Sequence, residues 1–278
     1  MSNSIIDAHN HFWKYDPVRD AWITEDMKEI QRDFLPPDLE TLLRKNNVAG
    51  TVVVQSDQSE SENIFQLENA DRFPFILGVV GWLDLQAENL KEKLEFYKNF
   101  PKLKGFRHVL QGEKQRDFML RPAFQQGIGL LNQYDYCYDL LILPDQLACT
   151  EKLVASFPDQ RFVIDHLAKP LIKEKKISAW KTAIKKFGNY PNVYCKISGL
   201  VTEADLQNWR NEDFRPYLDV VVESFGMKKI MFGSDWPVCL LAAEYEEVKQ
   251  ITEEYFSSFS QTEQSAFFGE NARSFYKL

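Results

Sequence analysis

Apolar positions along the chain gather in short, nearly uninterrupted runs separated by longer stretches of helical periodicity. The runs are SIIDAH (4–9), GTVVVQ (50–55), FILGVVGW (75–82), KGFRHVL (104–110), YDLLIL (138–143), RFVIDHL (161–167), VYCKIS (193–198) and KIMFGSD (229–235). They are rich in β-branched residues and too short for helices, as strands covered on both faces should be. Between them, PPDLETLLRKNN (36–47) sets Leu39, Leu42 and Leu43 on one face behind a helix-starting proline. NLKEKLEFYKNF (89–100), PDQLACTEKLVASFP (144–158), SAWKTAIKKFGNYP (178–191) and FRPYLDVVVESFG (214–226) follow the same rhythm. Two more helical patterns, at 243–259 and 262–278, trail the last run. Eight strands alternating with helices predict an α/β fold, a single (β/α)8 TIM barrel over residues 1–278. A doubly wound open sheet is disfavoured, because no glycine-rich phosphate-binding turn follows any run. The stretch 12–37 is long for a connection inside a barrel and is a candidate lid.

The pattern gains meaning from where the scarce residues fall. All four histidines and one aspartate sit at the ends of predicted strands: His9 and His11 after the first, His108 beside Arg107 in the fourth, His166 in the sixth, Asp235 in the eighth. Barrel enzymes build their sites at the carboxyl ends of the strands. His9 and His11 stand two apart, which in a strand aims both rings the same way. Imidazoles with a carboxylate are ligands for a divalent metal such as zinc, and without one they serve as acids and bases. Arg107 offers a planar fork for a carboxylate or an oxyanion. No serine elbow or activated cysteine is present, so an activated water is the expected nucleophile.

Other residues carry two readings. Trp13, Trp236 and, less directly, Trp82 are candidates for stacking on a sugar-like ring, whereas Trp22 reads as surface packing. Alternation points Asp165 away from His166. Lys196, a charge in an apolar strand, either snorkels outward or reaches the substrate, and Lys169 is similar. Tyr138 faces either core or substrate.

Composition narrows the partners. With 33 basic and 41 acidic residues the chain carries −8, which argues against nucleic acid and anionic membranes. No run approaches a membrane span or a secretory signal, and the scattered cysteines (137, 149, 195, 239) read as reduced thiols of a cytoplasmic protein.

Six segments in order, IIDAHNHFW, KGFRHVLQ, YDLLILPDQL, FVIDHLAKP, VYCKISGL and IMFGSDWPVC, with the tail FFGENARSFYKL, resemble the amidohydrolase superfamily. More narrowly they resemble its amidohydrolase-2 group, which holds sugar-acid lactonases and the 2-pyrone-4,6-dicarboxylate lactonases. The resemblance implies a hydrolase that opens the lactone ring of a sugar acid such as L-fucono-1,5-lactone. It implies Asp235 as general base on water and His9, His11 and His166 around it. Arg107 and His108 would polarise the carbonyl or hold the substrate; Trp13, Trp236, Tyr138 and Lys196 are further substrate-binding candidates. His9, His11, His166 and Asp235 would be the ligands of any single metal. The group's usual strand-four Lys or Glu and strand-five histidine are absent here, so no metal is strictly required on this reading. A metal-dependent decarboxylase, an amide hydrolase and a silent sugar-acid-binding barrel are the alternatives. Chains of this class often form homodimers.

Overall fold

The eight apolar runs pair in chain order. In the computed structural model, which describes residues 4–278, β1 (Ile5–Asn10), β2 (Val48–Val54), β3 (Ile76–Gly81), β4 (Leu103–His108), β5 (Cys137–Leu140), β6 (Phe162–Ile164), β7 (Val193–Ile197) and β8 (Ile230–Phe232) form one parallel sheet. Parallel neighbours need crossovers, and helices supply them: α1 (Pro36–Lys45), α2 (Glu60–Arg72), α3 (Leu90–Tyr97), α4 (Pro122–Gln133), α5 (Leu147–Ser156), α6 (Ser178–Ile184) and α7 (Asn211–Phe225). The sheet curls until its ends meet. Asp235 donates its N–H to the His9 carbonyl at 2.8 Å and His11 donates to the Trp236 carbonyl at 2.7 Å. These bonds join the first strand to the turn after the last, giving the expected (β/α)8 barrel.

Even-spaced apolar residues on the two faces of the strands divide the core in two. Phe106, Tyr138, Phe162, Ile164 and Phe232 point outward and pack under the helical ring. Ile6, Ala8, Val52, Val54, Val80, Cys137, Val163 and Met231 pack with Ala272, Phe275 and Tyr276. Those last three belong to α10 (Asn271–Tyr276), which follows α8 (Tyr245–Phe256), α9 (Gln261–Ser265) and a π-helical turn (Ala266–Glu270). Arg161 and Lys104 reach the carbonyls of Phe275 and Lys277, tying α10 to the start of β6 and β4. The final helix therefore plugs the amino-terminal mouth and leaves the carboxyl mouth open.

Strand ends differ from expectation at two places that matter. The sixth and eighth runs, predicted to reach 167 and 235, stop at Ile164 and Phe232. His166 and Asp235 sit in tight turns beyond them, both with positive φ (52° and 59°). Two helices escaped the sequence reading. α2 buries polar Glu62, Asn63, Gln66 and Asn69 along its inner face and lacks a clean apolar stripe, whereas α4 carries one, Phe124, Ile128 and Leu131, interrupted by two glycines that weaken its helical signal. The long connection predicted over 12–37 folds as a closed excursion over residues 12–35, with Trp13 and Phe34 exchanging both backbone hydrogen bonds and α1 starting at Pro36.

Candidate active site

Asp7 sets the ends of the first and last strands. Its buried carboxylate accepts hydrogen bonds from the N–H groups of His9 (3.1 Å) and Ser234 (2.9 Å), the Ser234 hydroxyl (2.6 Å) and the Tyr245 hydroxyl (3.2 Å). Burial pushes its pKa up to about 6 despite those four donors. Ser234 adjoins Asp235, so the anchor holds β1 and the Asp235 turn in one register. Gly233 is required there, because a Cβ would stand 2.7 Å from the Cβ of His9.

The turn after β6 is built against its own backbone. His166, Leu167, Ala168 and Lys169 follow one another at φ 52°, 55°, 57° and 48°, one left-handed turn without a glycine. L-residues so placed cost about 1–2 kcal/mol each, and the surroundings hold them. Leu167 and Ala168 are fully buried, Trp180 donates to the Leu167 carbonyl at 2.8 Å, and Ser198 meets Nδ1 of His166 at 2.8 Å. Gly199, at φ 62°, leaves room for the ring; a Cβ there would lie 2.7 Å from that Nδ1. The strain thus serves to bring His166 into the mouth and Lys169 to its wall.

Around Oδ1 of Asp235 stand Nε2 of His11 at 3.4 Å and Nε2 of His9 and of His166 at 3.8 Å each. Burial alone would raise the Asp235 pKa, but His166, His11 and His9 outweigh it and hold the carboxyl well below its usual range. Burial lowers the His166 pKa to about 4 against the pull of Asp235 and Asp165. Burial, then the Lys196 ammonium, hold His9 well below 6.5. At neutral pH the centre is therefore one carboxylate with at least two uncharged imidazoles. His11 has its Nδ1 2.7 Å from the Val54 carbonyl, so that nitrogen carries a proton and Nε2 faces Asp235.

Donors of this kind suit a divalent ion. Bonds near 2.0–2.1 Å put tetrahedral donor atoms roughly 3.4 Å apart, and the three Nε2–Oδ1 separations are 3.4–3.8 Å. His9, His11 and Asp235 place their donor atoms within 4.8 Å of one another, whereas His166 lies at the edge of that set. Arg107 approaches the same rim, its Nη1 3.3 Å from Nε2 of His9.

Under the centre lies a buried charge cluster that the sequence did not disclose. Lys196, fully buried, stands 2.5 Å from Asp139, 3.0 Å from Asp165 and 3.1 Å from Nδ1 of His9. Asp165 also meets Arg107 at 3.1 Å, and Tyr276 of α10 donates to Asp139 at 2.8 Å. Lys196 neither snorkels nor reaches the mouth; it sits one layer below, inside the barrel. Asp165 does point away from His166, into this cluster.

Above the centre opens a cavity of about 370 Å³, lined by His11, Arg107, His166, Lys169, Asp235 and Trp22 among others. The excursion after β1 supplies Arg19, Ala21 and Trp22 to this wall, so Trp22 is wall as well as packing. Several predicted residues lie elsewhere. Trp13 and Trp236 are buried, locked edge-to-face against Phe34, and have no ring face free for a ligand. They flank the histidine pair and Asp235 in sequence because they fill the space behind them. Tyr138 is fully buried among Phe124 and Phe162, its hydroxyl accepting the N–H of His108. His108 follows Arg107 by one residue, so alternation turns it out of the lumen. There it stacks on Phe118 at 5.1 Å and bonds Trp82 and Glu113.

Fold and site together define a (β/α)8 barrel with a histidine–aspartate centre at the carboxyl ends of its strands. Residues 6–278 match the family model Amidohydro_2, described as amidohydrolase. An L-fucono-1,5-lactonase of Burkholderia multivorans is 38% identical, over 98% of this chain and 96% of its own. An L-fucono-1,5-lactonase of Burkholderia ambifaria is 36% identical, over 86% and 82%. A crystal structure of an amidohydrolase from Burkholderia multivorans with bound zinc superimposes with a TM-score of 0.95 at 38% identity, covering 99% of each chain. The chain belongs to the amidohydrolase family.

Proposed function

We propose that this chain is a hydrolase that opens the lactone ring of a sugar acid, with L-fucono-1,5-lactone as its reference substrate. The observation that carries the reading is the Asp235 carboxylate, ringed by three imidazole nitrogens at 3.4–3.8 Å beneath a cavity of about 370 Å³. That volume suits one monosaccharide ring. The named lactonases at 36–38% identity support the substrate class.

Asp235, ionised at neutral pH, accepts the proton of a water held between it and the imidazoles as that water adds to the lactone carbonyl. The imidazole edge of the centre faces the oxyanion that develops. Arg107 contributes its positive charge from the adjoining rim. Collapse of the tetrahedral adduct expels the ring oxygen, which receives the proton that Asp235 took from water, directly or after neutral His166 has accepted it. A divalent ion on His9, His11, His166 and Asp235 would polarise the carbonyl and acidify the water. The excursion over residues 12–35 acts as the fixed wall and partial lid of this mouth. Four free cysteines, three of them buried, support a reducing, cytoplasmic setting.

The test is proton release on adding a panel of aldonolactones, with a pyrone dicarboxylate and an amide as controls. Turnover of L-fucono-1,5-lactone that falls by about 10²–10⁴ in Asp235→Asn supports the reading. A wild-type protein silent on every lactone removes it.

A further inference from the structure

Two cations near the reacting centre line the cavity, Arg107 and Lys169, and they are not equivalent. A guanidinium has five N–H donors, and the protein occupies four of those of Arg107. Nε bonds Gln55 Oε1 at 3.2 Å, and Nη2 bonds the Gln55 carbonyl at 2.5 Å and Oε1 at 2.8 Å. Nη1 bonds Asp165 at 3.1 Å, and its other N–H faces Nε2 of His9 at 3.3 Å. Arg107 is therefore a fixed charge with at most one donor left over, and that one faces His9. Lys169 has three donors and, among the described residues, one partner, Glu203 Oε1 at 2.8 Å. Its side chain keeps about a fifth of its surface open.

Lys169 closes the same left-handed turn that carries His166, and its N–H donates to the His166 carbonyl at 2.7 Å. Its side chain lines the same cavity as His166 and Asp235, and its charge is felt by His166. Arg19, the third cation of the wall, is committed to Asp20 through Nε and Nη2, and its charge is felt by Asp57 and Glu62 on another side of the mouth.

We infer that Lys169 is the direct donor to the acyl end of the ligand, binding the carboxylate of an open-chain aldonate, with Glu203 as the counter-ion it shares. This rests on the lactonase reading for the identity of the ligand, and on the donor count for the residue. Ring opening converts a neutral lactone into an anion, so a half-committed ammonium at that end strengthens its hold on the product more than on the substrate. Glu203 offsets that hold and lets the product leave.

Calorimetric titration with L-fuconate of wild type, Lys169→Met, Lys169→Arg and Glu203→Gln tests the assignment. The affinity of Lys169→Met should fall about ten- to a hundredfold, the loss of a charge-assisted bond. Lys169→Arg should stay within a few-fold of wild type, and Glu203→Gln should bind severalfold tighter and show stronger product inhibition. Unchanged L-fuconate affinity in a folded Lys169→Met overturns the inference. If that variant does not fold, weaker binding in Glu203→Gln overturns it. Lactone turnover by wild type is scored separately. Aldonate binding that depends on Lys169 without lactone turnover keeps this site and removes the lactonase reading. Turnover with Lys169-independent aldonate binding removes this site alone.

Discussion

Replacing Lys196 by Met takes one cation from between two buried carboxylates. Lys196 lies 2.5 Å from Asp139 and 3.0 Å from Asp165, all three fully buried. Burial would lower the lysine pKa, yet the two aspartates raise it, so the pair is charged in the folded protein. Asp165 would keep Arg107 at 3.1 Å, whereas Asp139 would keep only neutral donors, the Tyr276 hydroxyl at 2.8 Å and the Cys137 thiol at 3.9 Å. Breaking a buried pair from one side costs about 3–5 kcal/mol. The abandoned carboxyl can always take a proton instead. From an unfolded pKa of 3.8, that limits the whole cost of holding it neutral at about pH 7 to about 4 kcal/mol, of which wild type already bears about 3. Burial already raises Asp139 to about 6 with the lysine present, and removing the lysine raises it further. A carboxyl whose folded pKa lies above its unfolded value loses stability as pH rises and regains it as pH falls. The deficit of Lys196→Met relative to wild type should therefore be largest at neutral pH and above, and shrink in mildly acidic buffer. Adding Asp139→Asn should recover about 1–3 kcal/mol, because contacting charges do not add independently. Urea midpoints at several pH values measure all of this. A Lys196→Met protein as stable as wild type, or an Asp139→Asn change that worsens it, would refute the account of the barrel interior.

Further outcomes follow from the same geometry. Gly199→Ala should cost about 1 kcal/mol or more from its φ of 62° alone. It should also lower kcat by up to about 10²-fold by displacing His166, whose Nδ1 the new Cβ would meet at 2.7 Å; an unaltered kcat would contradict the seat assigned to that ring. The acid limb of kcat/KM should reach down toward pH 4, since the His166 pKa is lowered to about 4 and only its neutral form can accept a proton; a midpoint above 6 would show a solvated imidazole instead. Zinc titration of the metal-stripped protein should saturate at one ion per chain and weaken at least about tenfold in His11→Gln, read by calorimetry without reference to activity; equal binding by both would remove His11 from the ligand set.

Much of the architecture was legible because buried parallel strands write continuous apolar runs, and all eight were found. The charge-bearing strand ends were legible too: His9, His11, His166, Arg107 and Asp235 do converge. What misled was context that only packing reveals. The left-handed turn at His166–Lys169 contains no glycine, so nothing in the sequence marked the end of β6. Trp13 and Trp236 stand next to reacting groups in sequence, yet they fill the volume behind them. Asp139 and Lys196 come from β5 and β7 and Asp165 from the turn after β6, and only barrel closure brings their charges together. Glu62, Asn63 and Gln66 hid α2 because they face polar partners inside rather than water.

The most direct measurement is proton release from L-fucono-1,5-lactone by wild type and Asp235→Asn side by side, with folding of both checked by circular dichroism. Rapid opening by wild type and a loss of about 10²–10⁴ in the folded variant is the predicted result. Equal rates in the two proteins, or no opening by wild type on any aldonolactone, would contradict the central claim that Asp235 activates water for lactone hydrolysis.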